Sequence, residues 1–259
     1  MEGNMHKCVT CLIYIIFLFL TVQAGNALAA FEEFDSTAFS DWDFAKIQKA
    51  AERGDVKAQF MLALEYGESA IRRRVPRDDA KSLQWFQKAA DQGYAIAQEQ
   101  LGSMYEYAYL VPKDEAKAVQ WYQKAAEQGH PSAQFRLGKM YAEGRGGIPK
   151  NEQKAAQLYQ KLIDSGWWQE HFAQLALGEM YYYGRGVPQD DFKAARLFKM
   201  VPEKNIALVP AVLGFLGKMH IDGRGVIRDR RKGCSMLREA ADFWGVEKAI
   251  VWYNQECAR

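Results

Sequence analysis

Residues Asp114–Gly147 read DEAKAVQWYQKAAEQGHPSAQFRLGKMYAEGRGG. Two phrases stand back to back in this stretch. In the first, Ala118, Trp121, Tyr122, Ala125 and Ala126 recur at helical spacing, and in the second Ala133, Leu137, Gly138 and Tyr141 do the same. Each forms one apolar stripe on an otherwise polar helix. Small residues such as Gly138 and Ala125 let two helices approach closely, while Trp121 and Tyr122 supply buried area. Gly129 closes the first phrase at the position just past a helix C-terminus, where glycine is favoured. No strand-like alternation competes, so the stretch predicts an antiparallel helix pair.

The second phrase recurs along the chain as AQFMLALEY (58–66), AQEQLGSMY (97–105), AQFRLGKMY (133–141) and AQLALGEMY (173–181), with VLGFLGKMH (212–220) as a worn fifth copy. Its anchoring leucines, Leu62, Leu101, Leu137, Leu177 and Leu216, are separated by 39, 36, 40 and 39 residues. The first phrase recurs as DDAKSLQWFQKAADQG (78–93) and NEQKAAQLYQKLIDSG (151–166), and more weakly at 191–201 and 230–242. Half-units, DFAKIQKAAERG (43–54) and GVEKAIVWYNQ (245–255), flank the series. A repeat of this period cannot bury its apolar face alone and does so by stacking on its neighbours. The expected fold is all-α: a right-handed superhelical solenoid of about five helix pairs with a half-unit at each end.

These phrases resemble the Sel-like repeat family, relatives of tetratricopeptide repeats with longer units. The pattern is A-x-x-x-L-G-x-x-Y, then G-x-G, then D-x-x-K-A-x-x-W-Y-x-K-A-A-x-x-G, and the resemblance covers about Asp41 to Arg259. Three departures stand out. Trp167-Trp168-Gln169 behaves as an insertion, because Gly166 to Leu177 is 11 residues where earlier copies have 8. PEKNIALVP (202–210) replaces the usual helix end, and repeats 1 and 2 have GESAIRRRVP and AYLVP in place of G-x-G.

A glycine-rich turn entering a helix suits a phosphate cradle. Here the turn occurs three times at equivalent places, GRGGIP (144–149), GRGVP (184–188) and GRGVI (223–227), with no strand or lysine–serine pair beside any copy. It reads as a helix-to-helix turn that needs positive φ. His130, His171 and His220 are dispersed in the repeat register, so no metal cluster or catalytic dyad is expected. Some Sel-like repeat proteins are described as binding penicillin or hydrolysing β-lactams. That chemistry usually rests on a serine three residues before a lysine, which is missing here. No catalytic residue, cofactor or metal is expected.

The amino-terminal residues carry a different signal. Lys7 precedes an uncharged apolar run, Val9–Val22, and a small-x-small site, Ala27-Leu28-Ala29. Fourteen residues fall short of the roughly 20 needed to span a bilayer. Residues 1–29 are therefore expected to be a signal peptide, with an uncleaved anchor as the alternative, followed by a linker at 30–40 and the solenoid at 41–259. Export to a periplasm follows from this reading. Cys8 and Cys11 leave with the signal, so the mature chain keeps Cys234 and Cys257. Their midpoint falls near residue 245, the turn between the last two helices, which places them opposite each other. A disulfide is expected, two unpaired thiols being the alternative; closing this loop stabilises by about 3 kcal/mol. A formal charge of +2 with mixed signs gives no indication of a nucleic-acid partner.

In related repeats the first helix of each pair lines the concave surface. The resemblance carries this role onto Phe60, Leu64, Ile96, Glu99, Ser103, Glu106, Phe135, Lys139, Phe172, Leu175, Glu179, Tyr182 and Lys218. Phe60, Phe135, Phe172 and Tyr182 are expected to form an aromatic ladder for a protein partner, unless the superhelix is tight and they pack on one another. Trp167 and Trp168 are a second candidate patch. Exported Sel-like repeat proteins of this size resemble immunity proteins that neutralise type VI secretion phospholipase effectors. They also resemble periplasmic regulators or scaffolds of envelope signalling, exopolysaccharide export or motility. The enzymatic members carry a cysteine pair in nearly every repeat, and this chain does not. The expected partner is a toxin effector or an envelope component.

Overall fold

A computed structural model describes residues 43–67, 75–167, 170–202, 205, 208–242 and 246–258. All regular structure among them is helical: α1 (Phe44–Glu52), α2 (Val56–Tyr66), α3 (Asp79–Asp91), α4 (Ala95–Tyr107), α5 (Glu115–Glu127), α6 (Pro131–Glu143), α7 (Glu152–Asp164), α8 (His171–Tyr183), α9 (Asp191–Met200), α10 (Val209–Asp222), α11 (Arg230–Asp242) and α12 (Glu247–Glu256). A single helix, five pairs and a closing helix make an α-solenoid of about five repeats. The chain divides into two compact units, one ending at Gln100 and one beginning at Leu101, within α4. The expected signal and linker lie outside the described residues. No described helix is long and apolar enough to cross a membrane.

Every second helix of a pair opens with the same device. Asp78, Asp114, Asn151, Asp190 and Asp229 each accept a hydrogen bond from the backbone N–H three residues on, at 2.9–3.0 Å. Their own N–H groups donate at 2.8–3.0 Å to the carbonyls of Tyr66, Tyr105, Tyr141, Tyr181 and His220, in the last turn of the preceding helix. In the first four repeats the lysine at the third helical position lies 5.1–5.2 Å from the ring of that tyrosine. Where His220 replaces the tyrosine, its Nδ1 donates to the Ile227 carbonyl at 2.9 Å. The D-x-x-K phrase is thus a hinge that fixes the angle within each pair.

Close approach is set by the glycine after the anchoring leucine. A Cβ on Gly102, Gly138 or Gly178 would stand 2.6 Å from the ring of Tyr122, Tyr159 or Phe198, respectively. The ring that fills each gap therefore stands at the second position of the W-Y pair, after Trp121, Leu158 or Leu197. Tyr122 is fully buried, whereas Trp121, expected in the core, is half-buried with the Lys124 ammonium 3.9 Å from its ring. Trp85 and Lys88 repeat that arrangement at the same distance.

The G-x-G turns place their glycines at φ between 64° and 71°. A Cβ on Gly146 would lie 2.6 Å from the Glu115 carbonyl oxygen, and one on Gly186 or Gly225 would meet the backbone of Glu152 or Asp191. These glycines are needed for packing on the preceding repeat, which is reason enough for the motif to recur. In repeat 2, Ala108 (φ 58°) and Leu110 (φ 61°) occupy the same two left-handed positions without glycine.

At the carboxyl end Cys234 of α11 is bonded to Cys257, with Cα atoms 5.7 Å apart. Lys218 Nζ, 2.8 Å from the Glu256 carboxylate, and Arg238, donating to the Tyr253 hydroxyl at 2.8 and 3.0 Å, also hold α12. The turn at Gly245 lies outside the described residues.

Candidate protein-binding face

The first unit turns its expected groove residues inward. Phe60 is buried between Phe86 and Tyr94, with ring centroids 5.6 and 5.4 Å away. Ile96 and Glu99 are also buried, and Leu64 is half-buried. Packing has taken these positions, so Phe60, Ile96 and Glu99 are not open surface.

In the second unit the same register gives a mixed result. Glu106 is buried, accepts a hydrogen bond from the Tyr122 hydroxyl at 2.9 Å, and lies 3.5 and 3.4 Å from Arg136 and Arg145. Ser103 is half-buried. Lys218 is spent on Asp222 and Glu256, both at 2.8 Å; these hydrogen bonds overcome the burial that would lower its pKa and raise it instead. Lys139 is exposed and 4.0 Å from Glu143. Phe135 packs against Tyr159 and Phe172 at centroid distances of 5.6 and 5.9 Å. Phe172 remains 38% exposed. Leu175 and Glu179 are half-buried.

Tyr182, expected to end the ladder, is only 4% exposed. Its ring lies 5.4 Å from that of Phe215, and the Arg224 guanidinium covers it at 4.4 Å. Burial raises its pKa, partly offset by Arg224. Tyr183, 42% exposed, holds the surface position instead. At 100° per residue, Phe172, Leu175, Glu179 and Tyr183 fall within about 80° of arc, while Tyr182 lies beyond its edge toward α10. The i+4 continuation from Glu179 was the signal available in the run Tyr181–Tyr183. Trp167 is half-buried against the core around Tyr159, Leu162 and Leu177, so the insertion is partly filled by it. Trp168 lies outside the described residues.

Charge is distributed unevenly over the G-x-G turns. Arg145 donates to Glu115 at 2.7 Å, and the Glu115 carboxyl is lowered to about 2 by Arg145 first and Lys113 second. Arg224 grips Asp191 with two bonds of 2.6 and 2.9 Å and donates to the Tyr182 carbonyl at 3.1 Å. Among the described residues Arg185 makes no such inter-repeat clamp. Glu152, the matching carboxylate, pairs with Lys150 at 2.8 Å, and Arg185 instead lies 5.1 Å from the Tyr183 ring and 3.5 Å from Glu179. Burial raises the Glu179 pKa, with Lys248 and then Arg185 acting against it. Among the described residues no group of three His, Cys, Asp or Glu side chains is placed to hold a metal ion.

The family model of the Sel1 repeat matches five segments, 56–94, 95–130, 131–167, 171–200 and 213–242. The chain belongs to the Sel1 repeat family. Breaks between the matched Sel1 repeats fall at the tryptophan insertion and at the PEKNIALVP segment. Among solved structures the chain is similar to a protective antigen of uropathogenic Escherichia coli that displays an SLR fold (29% identity, TM-score 0.68, 83% of this chain and 44% of that one). It is also similar to a Sel1 repeat protein from Oxalobacter formigenes (30% identity, TM-score 0.59, 82% of this chain and 60% of that one). This chain therefore spans about half of each of those structures. No curated protein matches the sequence. Sel1 repeat proteins are generally protein-interaction solenoids, and this chain has that architecture.

Proposed function

We propose that this Sel1 repeat protein is an exported, non-enzymatic binding protein that grips another protein with the open face of α6 and α8. The observation that carries the reading is the stripe Phe172–Leu175–Glu179–Tyr183, with the Phe135 ring packed at a tilt beside its first member, 5.9 Å away. Two aromatics at 38% and 42% exposure on one helix face are the anchors an interface uses, because each buries a large area at low entropic cost. The finer reading is periplasmic: an immunity protein that clasps a type VI secretion phospholipase effector and blocks its active site. It is supported by the Lys7–Ala29 segment and by the Cys234–Cys257 pair, which suits an oxidising compartment. A regulatory or scaffolding role in the envelope is the other use of the same face.

The test is capture from envelope extract by the mature chain, followed by lipase assay of whatever is retained. A phospholipase that is silent in the complex supports the immunity reading, and Phe135→Glu with Phe172→Glu should release it. Retention of the partner by that double variant counts against the face, and a partner without lipase activity counts against immunity.

A further inference from the structure

The stripe on α8 ends in a positively charged aromatic site to which no function has been given. The Tyr183 ring lies between two cations, the Arg185 guanidinium 5.1 Å and the Lys248 ammonium 5.5 Å from its centroid. Lys248 reaches in from α12 and also lies 5.4 Å from the Phe215 ring. Lys248 also acts on the Glu179 carboxylate, the one acidic group that faces both cations among the described residues. Arg185 pairs with Glu179 alone among the described residues, at 3.5 Å, and its side chain is 47% exposed where those of Arg145 and Arg224 are 30% exposed.

Repetition makes the difference informative. Three equivalent arginines follow equivalent glycines, and the outer two are locked onto first-turn carboxylates of the preceding second helix. Among the described residues the middle one does not bond the matching carboxylate, Glu152, although Lys150 pairs with Glu152 at 2.8 Å just as Lys113 pairs with Glu115 at 2.9 Å beside its Arg145 bond; Arg185 turns onto Tyr183 and Glu179 instead. Arg185 is thereby free of the packing duty its sisters perform. Together with Lys248 it gives two cations against one half-buried carboxylate, beside the apolar shelf of Phe172 and Leu175. Cations held over an aromatic ring are partly desolvated and attract an incoming anion more strongly than solvated ones.

We propose that Arg185, Tyr183 and Lys248 form a subsite that takes an acidic side chain of the partner protein, with apolar residues of the same partner segment lying further along α8, on Leu175 and Phe172. The subsite rests on the protein-binding reading and sharpens it: the partner segment presents Asp or Glu together with apolar residues. Because Lys248 stands on α12, the Cys234–Cys257 bond holds half of the site in place.

The test uses the mature chain and two capped peptides, acetyl-Phe-Glu-Phe-amide and acetyl-Phe-Gln-Phe-amide, titrated while amide and side-chain NMR signals are followed. The acidic peptide is expected to give saturable shifts at Tyr183, Arg185 and Lys248, and to bind about ten-fold more tightly than the glutamine peptide. Arg185→Gln and Lys248→Gln, both exposed and outside the core, should each remove most of that preference while leaving the melting temperature within a few degrees. Equal affinity for the two peptides, or no saturable shift at these residues, overturns the subsite. Loss of partner capture in Phe135→Glu/Phe172→Glu but not in Arg185→Gln would reject the subsite while leaving the binding face intact. Binding of N-acetylphenylalanine in preference to both peptides would overturn an acidic side chain in favour of a chain terminus.

Discussion

The Arg224 guanidinium lies over the ring of Tyr182, 4.4 Å from its centroid, and donates to the Tyr182 carbonyl at 3.1 Å. One side chain thus ties the end of α8 to the turn after α10 and to Asp191 at the start of α9. Tyr182 is a strut of the second unit, and its neighbour Tyr183 is the surface residue. Tyr182→Glu should cost about 3 kcal/mol or more, combining cavity formation with burial of a charge. Tyr183→Glu should change stability by about 0.5 kcal/mol or less. Urea denaturation of the two variants checks the contrast.

The repeat glycine on the first helix gives a second prediction. Gly138→Ala would place a Cβ 2.6 Å from the Tyr159 ring, and overpacking of this kind costs about 1–3 kcal/mol. Gly178→Ala against Phe198 should behave alike. Tyr159 is well buried, which raises its hydroxyl pKa, so it has little room to yield.

Repeat 2 should respond in the opposite sense. Ala108 sits at φ 58° where the third repeat has Gly144 at φ 69°. A left-handed conformation costs a non-glycine residue about 1–2 kcal/mol, more than the entropy glycine adds to the unfolded chain. Ala108→Gly is expected to be neutral or stabilising, and Gly144→Ala destabilising, in paired thermal melts.

Acid stability separates two glutamates. The folded pKa of Glu115, lowered from 4.5 to about 2 by Arg145 and Lys113, contributes stability that is present above the unfolded value and lost as pH falls from about 4.5 toward about 2. Glu115→Gln should therefore be less stable than the parent at pH 7, with the gap closing over that window. Glu179 is raised by burial, so its ionised form opposes folding above its unfolded pKa. Glu179→Gln should be more stable at pH 7, and that gap also closes as the solution is acidified. Melting temperatures between pH 2 and pH 7 report both signs.

Reduction of Cys234–Cys257 should lower the stability of the second unit by about 3 kcal/mol and abolish the hydrogen-exchange protection of α12 first. Only Ala249 of that helix is fully buried, so little else resists its departure. Unchanged protection after reduction would show that Lys218, Arg238 and Trp252 suffice.

Much of this architecture is legible in the sequence because each repeat restates it. Five anchoring leucines, the D-x-x-K caps and the G-x-G turns declare helix, cap and hinge in turn, and the cysteine midpoint locates the antiparallel closing helices. The candidate face is legible only in part. A register rule places Tyr182 and Phe60 by analogy with open grooves, yet whether a position faces solvent depends on the neighbouring helix. Phe215 and Arg224 claim Tyr182, and Phe86 with Tyr94 claims Phe60. The turning of Arg185 onto Tyr183 and Glu179 is illegible for the same reason: spacing gives Lys150 and Glu152 the same places as Lys113 and Glu115, a pair that does hold its arginine.

Hydroxyl-radical footprinting of the captured complex tests the binding face most directly, since Phe192 on the second helix of the same pair is 77% exposed and serves as an internal reference. Shielding of Phe172 and Tyr183 on complex formation, with Phe192 as reactive as in the free chain, is the expected result. Shielding of Phe192 while Phe172 and Tyr183 stay reactive would place the partner on the second helices and contradict the α6–α8 face.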